Sequence, residues 1–178
     1  MKHVFVGFFM IFTLFSCSND DVNNEPPLLS VAPVALSEVH STIAFGEALS
    51  ASKKSPAIEY ITNSNNVSVR SASLGKVEKI IMNEGIFDYE IHIRPISGSE
   101  WLIIYDHVLD VTVSKGDNVQ QGAILGKVGV GNRTELQVNK GNGGDAISYC
   151  PLNYGTKAFI DEHLAFMDNW CLEETIVP

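Results

Sequence analysis

Residues 101–129 read WLIIYDHVLDVTVSKGDNVQQGAILGKVG, and this stretch decides the fold. Residues 101–105 form a hydrophobic strand that delivers Tyr105-Asp106-His107 to its end. A valine–polar alternation then runs into Lys115-Gly116-Asp117, a tight turn, since glycine tolerates the left-handed backbone that such turns need. Val119 and Gly122 follow, and 123–128 is a further strand closing on Gly129. Period-two alternation between glycine turns predicts paired β-strands.

The same pattern extends outward. Residues 58–61, 67–69, 77–81 and 88–93 alternate, with breaks at Asn63-Ser64-Asn65-Asn66 and Gly75. Pro95 to Gly98 turns the chain into 101–105, and 135–138 leads to a glycine-rich loop at 141–144. Upstream, 43–46 reads as a strand ending in a glycine turn, and 50–54 as a small polar linker. Only 154–170 reads helical, through an apolar stripe of Phe159, Leu164, Phe166 and Met167. Short strands at regular spacing predict an all-β sandwich or small barrel with one C-terminal helix. Trp101 and Trp170 are expected to be core or interface anchors.

The chain of 178 residues has room for one domain with a core of its own. Lys2 and His3 precede an apolar run at 4–15, too short to span a bilayer and suited to a signal peptide. Leu14-Phe15-Ser16-Cys17 resembles the lipobox of bacterial lipoproteins, which implies cleavage after 16 and lipidation of Cys17. Residues 17–30 then read as a flexible tether, 31–54 as an extension of the domain, 55–151 as a β core and 152–178 as a helical segment. The acidic pair Asp20-Asp21 resembles the tail of surface-exported lipoproteins, so the expected location is the cell envelope, at the outer membrane or beyond it. The full chain carries a net charge of −9. Removing 1–16 takes away Lys2 and no acid, so the mature part is more acidic still and nucleic acid is excluded as a partner. Cys150 and Cys171 are expected to pair, as two cysteines in an exported domain usually do.

Residues 55–151 resemble the lysostaphin-type zinc peptidoglycan endopeptidases, built on the duplicated hybrid motif of a barrel-sandwich fold. The resemblance rests on 69–77, on Tyr105-Asp106-His107, on 113–122 and on Leu125-Gly126-Lys127-Val128-Gly129. It implies a zinc site: His and Asp of a His-x-x-x-Asp motif, the second His of a His-x-His, and a water activated at the open position. In this chain the first motif falls on Ser55 and Glu59, and the second on Arg133-Thr134-Glu135. Of five functional positions only His107 keeps its family residue, and it is not a metal ligand there. Ser55 is a poor donor at neutral pH, and Arg133 brings a fixed positive charge.

The resemblance therefore implies a catalytically degenerate relative. Glu59, His107, Arg133 and Glu135 are expected to converge on one groove that binds a peptidoglycan peptide or a partner protein, with His107 as a vestigial catalytic residue. No cofactor is expected. The enzyme alternative is a metal-dependent endopeptidase with a divalent ion at Glu59 and Glu135; the other alternative is a structural envelope protein whose charges only fill the vacated pocket. Elsewhere, His92 reads as an exposed-face residue, and His40 and His163 as bland. Asp88 and Glu90 read as a surface acidic pair, and Asp106 as pointing away from His107. Lys115 and Lys127 lack the flanking residues of a lipoyl or biotinyl carrier.

Overall fold

The computed structural model describes residues 25–141 and 145–177. The expected signal segment, Cys17, most of the tether and residues 142–144 of the glycine loop lie outside the described residues. Among the described residues no helix is long and apolar enough to cross a membrane.

Among the described residues the fold is all-β with one α-helix. Its strands are β1 (Val39–Ile43), β2 (Ile58–Thr62), β3 (Ser68–Arg70), β4 (Gly75–Met82), β5 (Tyr89–Arg94), β6 (Trp101–Leu109), β7 (Asn118–Val119), β8 (Ile124–Val128), β9 (Arg133–Lys140), β10 (Ile147–Tyr149) and β11 (Thr175–Ile176). They pair in one open antiparallel sheet in the order β1-β2-β9-β6-β5-β4-β7, with β8 on β6, β3 on β8, β10 on β9 and β11 on β10. The turn at Lys115-Gly116-Asp117 closes as expected: Gly116 takes φ +98, and the Ser114 N–H donates to Asp117 Oδ2 at 2.8 Å.

Alternation sets the core. Ile91 and Ile93 of β5, Ile103 and Tyr105 of β6, and Leu136 and Val138 of β9 are fully buried. Each such aliphatic side chain contributes about 2 kcal/mol by leaving water. The Tyr105 hydroxyl reaches through this layer to accept the Ala72 N–H at 2.6 Å, and burial pushes its phenol up to about 12. β6 outruns the expected 101–105 because it changes partner: residues from Trp101 to Asp106 pair with β9, and Val108 and Leu109 pair with β8. β9 begins at Arg133, after a turn in which Gly131 and Asn132 both take positive φ.

The C-terminal part corrects two expectations. The helix is shorter than 154–170: a 3₁₀ turn at Pro151–Tyr154 precedes α1 (Lys157–Phe166), which starts where the Thr156 hydroxyl accepts the Phe159 N–H. Its buried face is Phe159 and His163, four residues apart, whereas Leu164 and Phe166 are exposed. Trp170 packs against Tyr60, His163 and Phe166, and Trp101 against Tyr149 and Tyr154. A disulfide joins Cys150 to Cys171, with Cα atoms 5.9 Å apart. The tether is also shorter than 17–30. Leu29 is fully buried, donates its N–H to the Tyr154 carbonyl and accepts from the Thr156 N–H.

Candidate functional site

Three adjacent strands carry the site. Glu59 of β2 lies directly opposite Glu135 of β9, and Glu135 directly opposite Asp106 of β6. Cross-strand partners share a sheet face, so the register alone sets three carboxylates in one row. Arg133, two residues before Glu135, shares that face; its Nη1 lies 3.3 Å from Glu59 Oε1. Thr134, on the other face, ties β9 to β6 by donating to the Asp106 carbonyl at 2.9 Å. Glu59 is buried, while Arg133 and Glu135 are half-buried. Glu59, Arg133 and Glu135 lie together in one charge cluster. A surface cavity of about 710 Å³ lies elsewhere, along Lys76, Arg94 and Lys115.

His107 stands where β6 changes partner. In a regular strand Asp106 and His107 would face opposite ways, but His107 takes φ +56, a left-handed backbone uncommon outside glycine. The strand turns at that residue and both side chains reach the cluster. Asp106 Oδ1 accepts the His107 N–H at 2.7 Å, and Asp106 Oδ2 lies 3.8 Å from His107 Nε2. Glu135 Oε1 lies 3.8 Å from the same Nε2. Asp106 therefore belongs to the site.

Asp88 belongs to it as well. Far from being half of a surface pair with Glu90, Asp88 is fully buried and its Oδ2 accepts from His107 Nδ1 at 2.9 Å and from the Val130 N–H at 3.1 Å. Asn83 Nδ2 bridges Asp88 Oδ1 at 2.8 Å and Asp106 Oδ1 at 2.7 Å. Gly129 admits this packing, because a Cβ there would stand 2.6 Å from the His107 carbonyl and 2.7 Å from Asp88 Oδ2. Glu90 is hydrogen-bonded to His92, so His92 is a partly buried, partnered residue and not an open-face one. The sequence held one usable signal for Asp88: the turn residues Gly129 to Asn132, which bring Val130 onto it. His40 is exposed, and His163 lies in the core.

Three acids and Asp88 surround one guanidinium and one imidazole. Burial, then the charges of Glu59 and Asp106, push the Glu135 carboxyl up to about 7; His107 and Arg133 offset part of this. With Nδ1 hydrogen-bonded to Asp88, the other ring nitrogen, Nε2, lies toward the Asp106 and Glu135 carboxylates.

The positions that correspond to zinc ligands do not suit zinc. The Ser55 hydroxyl donates to the Ala57 carbonyl at 2.8 Å and supplies no charge. Glu59 is engaged by Arg133, whose guanidinium stands where a cation would be repelled. Glu135 is left alone at that location, with a carboxyl that binds a proton near neutral pH.

Comparison with solved structures supports the fold. Csd3 of Helicobacter pylori aligns at 22% identity with a TM-score of 0.54, over 79% of this chain and 38% of that one. This chain thus spans well under half of Csd3. A chain in the SpoIIQ–SpoIIIAH pore-forming complex aligns at 21% identity with a TM-score of 0.57, over 79% of this chain and 99% of that one. Another structure of the SpoIIIAH and SpoIIQ complex aligns at 22% identity with a TM-score of 0.55, over 70% and 98%. No curated protein matches the chain significantly. The sequence profile of Peptidase family M23 matches residues 54–146, more than half of the chain. The lysostaphin-like reading of the β core is thereby established: the chain belongs to peptidase family M23.

Proposed function

We propose that this protein is a catalytically degenerate member of its family, acting as a binding or scaffolding module in the cell envelope. Lipidation of Cys17 would hold it to the membrane. The surface around Glu59, His107, Arg133 and Glu135 would contact a peptidoglycan peptide or a partner protein. The observation that carries this reading is the Arg133 guanidinium 3.3 Å from Glu59, inside the row where metal ligands are expected. A fixed cation there replaces the ion and leaves charge-assisted hydrogen bonds as the chemistry available. That two of the similar structures are complexes of SpoIIQ with SpoIIIAH makes protein contact a reasonable role for this fold.

A metal-dependent hydrolase is the second reading. One observation favours it: ligand atoms of Asp88, Asp106 and His107 lie within 4.8 Å of one another. Peptidoglycan zymography on the purified protein, with added zinc or manganese, separates the two. The binding module gives no clearing; clearing that disappears in a Glu59→Ala, Glu135→Ala double variant would establish the hydrolase.

A further inference from the structure

The acidic row has an apolar border. The turn from Asn83 to Phe87 joins β4 to β5 and ends directly at Asp88, whose carboxylate anchors His107. On this turn Ile86 is 38% exposed and Phe87 71%, and Met82, at the end of β4, is 48% exposed. Val130, whose N–H donates to the same Asp88 carboxylate, is 43% exposed. Four exposed apolar residues thus sit on or beside the two turns whose backbone bonds reach Asp88. Phe87 takes φ +67, a conformation that costs a bulky residue energy and that asparagine or glycine would adopt more readily. The strain holds an aromatic ring in water beside the charge cluster, where it adds nothing to the core.

We infer that Met82, Ile86, Phe87 and Val130, together with the acids Glu59, Asp106 and Glu135, form a docking surface for an extended, basic segment of a partner protein. A lysine or arginine of that segment enters the acidic row, and its apolar neighbour covers Phe87. Charge selects this occupant. Glu59, Asp106, Glu135 and Asp88 outnumber Arg133 and His107, and Nε2 of the buried His107 lies 3.8 Å from oxygens of Asp106 and Glu135. A second copy of this chain, net −9, is repelled, and so is an anionic lipid surface. The inference rests on the binding-module reading and names the chemistry of its partner.

The test uses a capped hexapeptide alternating leucine and lysine, and its counterpart alternating leucine and glutamate, titrated into ¹⁵N-labelled protein at pH 7.5. The lysine peptide is expected to shift the amides of Phe87, Val130 and Glu135, and the glutamate peptide to leave them in place. Phe87→Ser and Glu135→Gln should each weaken the lysine peptide about tenfold, as central contacts of an interface do. Unchanged spectra away from the site would show that both variants are folded. Equal response to both peptides, absence of response, or shifts confined to other surfaces would overturn the inference. Peptidoglycan clearing without peptide binding would defeat the binding-module reading as well; neither clearing nor binding would defeat this inference alone.

Discussion

Two buried histidines divide the molecule into a part that is finished and a part that is not. His163 of α1 is fully buried, and both ring nitrogens have neutral partners: Nδ1 donates to the Phe159 carbonyl at 2.7 Å, and Nε2 accepts from the Tyr60 hydroxyl at 3.0 Å. Trp170 and Phe159 pack against its ring. His107 is as deeply placed, but only Nδ1 is hydrogen-bonded, to a fully buried carboxylate. Its Nε2 faces Asp106 and Glu135 across 3.8 Å. A histidine closed off by neutral partners consolidates a core, whereas one set among carboxylates belongs to a charged site.

The largest expected effect falls on the finished side. His163→Ala should cost about 3 kcal/mol in urea denaturation, through a cavity among Tyr60, Phe159 and Trp170 and an unpaired Tyr60 hydroxyl. It should leave the lysine-peptide response intact; loss of that response would blur the distinction between the two sites. Burial also lowers the His163 pKa. The unfolded chain then binds the extra proton first, so this residue's contribution is lost as pH falls below the usual histidine value.

Glu135→Gln should act in the opposite sense. A carboxyl raised to about 7 from 4.5 makes the native state bind the extra proton, so stability declines as pH rises from about 4.5 to about 7. Removing the charge should flatten that decline and stabilise the protein at pH 8 by about 2 kcal/mol, with little change at pH 4. Thermal denaturation across this range checks it; an unaltered pH profile would show that Glu135 bears no strained charge.

The smallest effect is expected at the border. Phe87→Gly should raise stability by about 0.5 kcal/mol, because glycine accepts φ +67 freely, and should weaken peptide binding. A loss of stability would mean that the exposed ring supports the fold.

Most strands were legible from alternation, because one sheet face is buried and the pleat repeats every two residues. The mapping of Glu59, Arg133 and Glu135 to one place was legible only through the family resemblance; in the structure the register of β2 on β9 sets Glu59 opposite Glu135. Asp106 and Asp88 were not. Their placement depends on left-handed backbone at His107 and Phe87, residues whose type announces no turn, and alternation assigned both aspartates away from the site. His163 was missed for a related reason: a histidine inside an apolar helix face does not register in a stripe counted from hydrocarbon side chains.

The central claim of the proposed function is that Arg133 and Ser55 leave this site without zinc chemistry. Zinc titration of the purified protein by calorimetry tests it most directly. The account predicts no stoichiometric binding at micromolar zinc, and a gain in affinity in the Arg133→His, Ser55→His, Glu135→His triple variant that restores the donors. One zinc bound per unaltered chain, lost on Glu59→Ala, would contradict it.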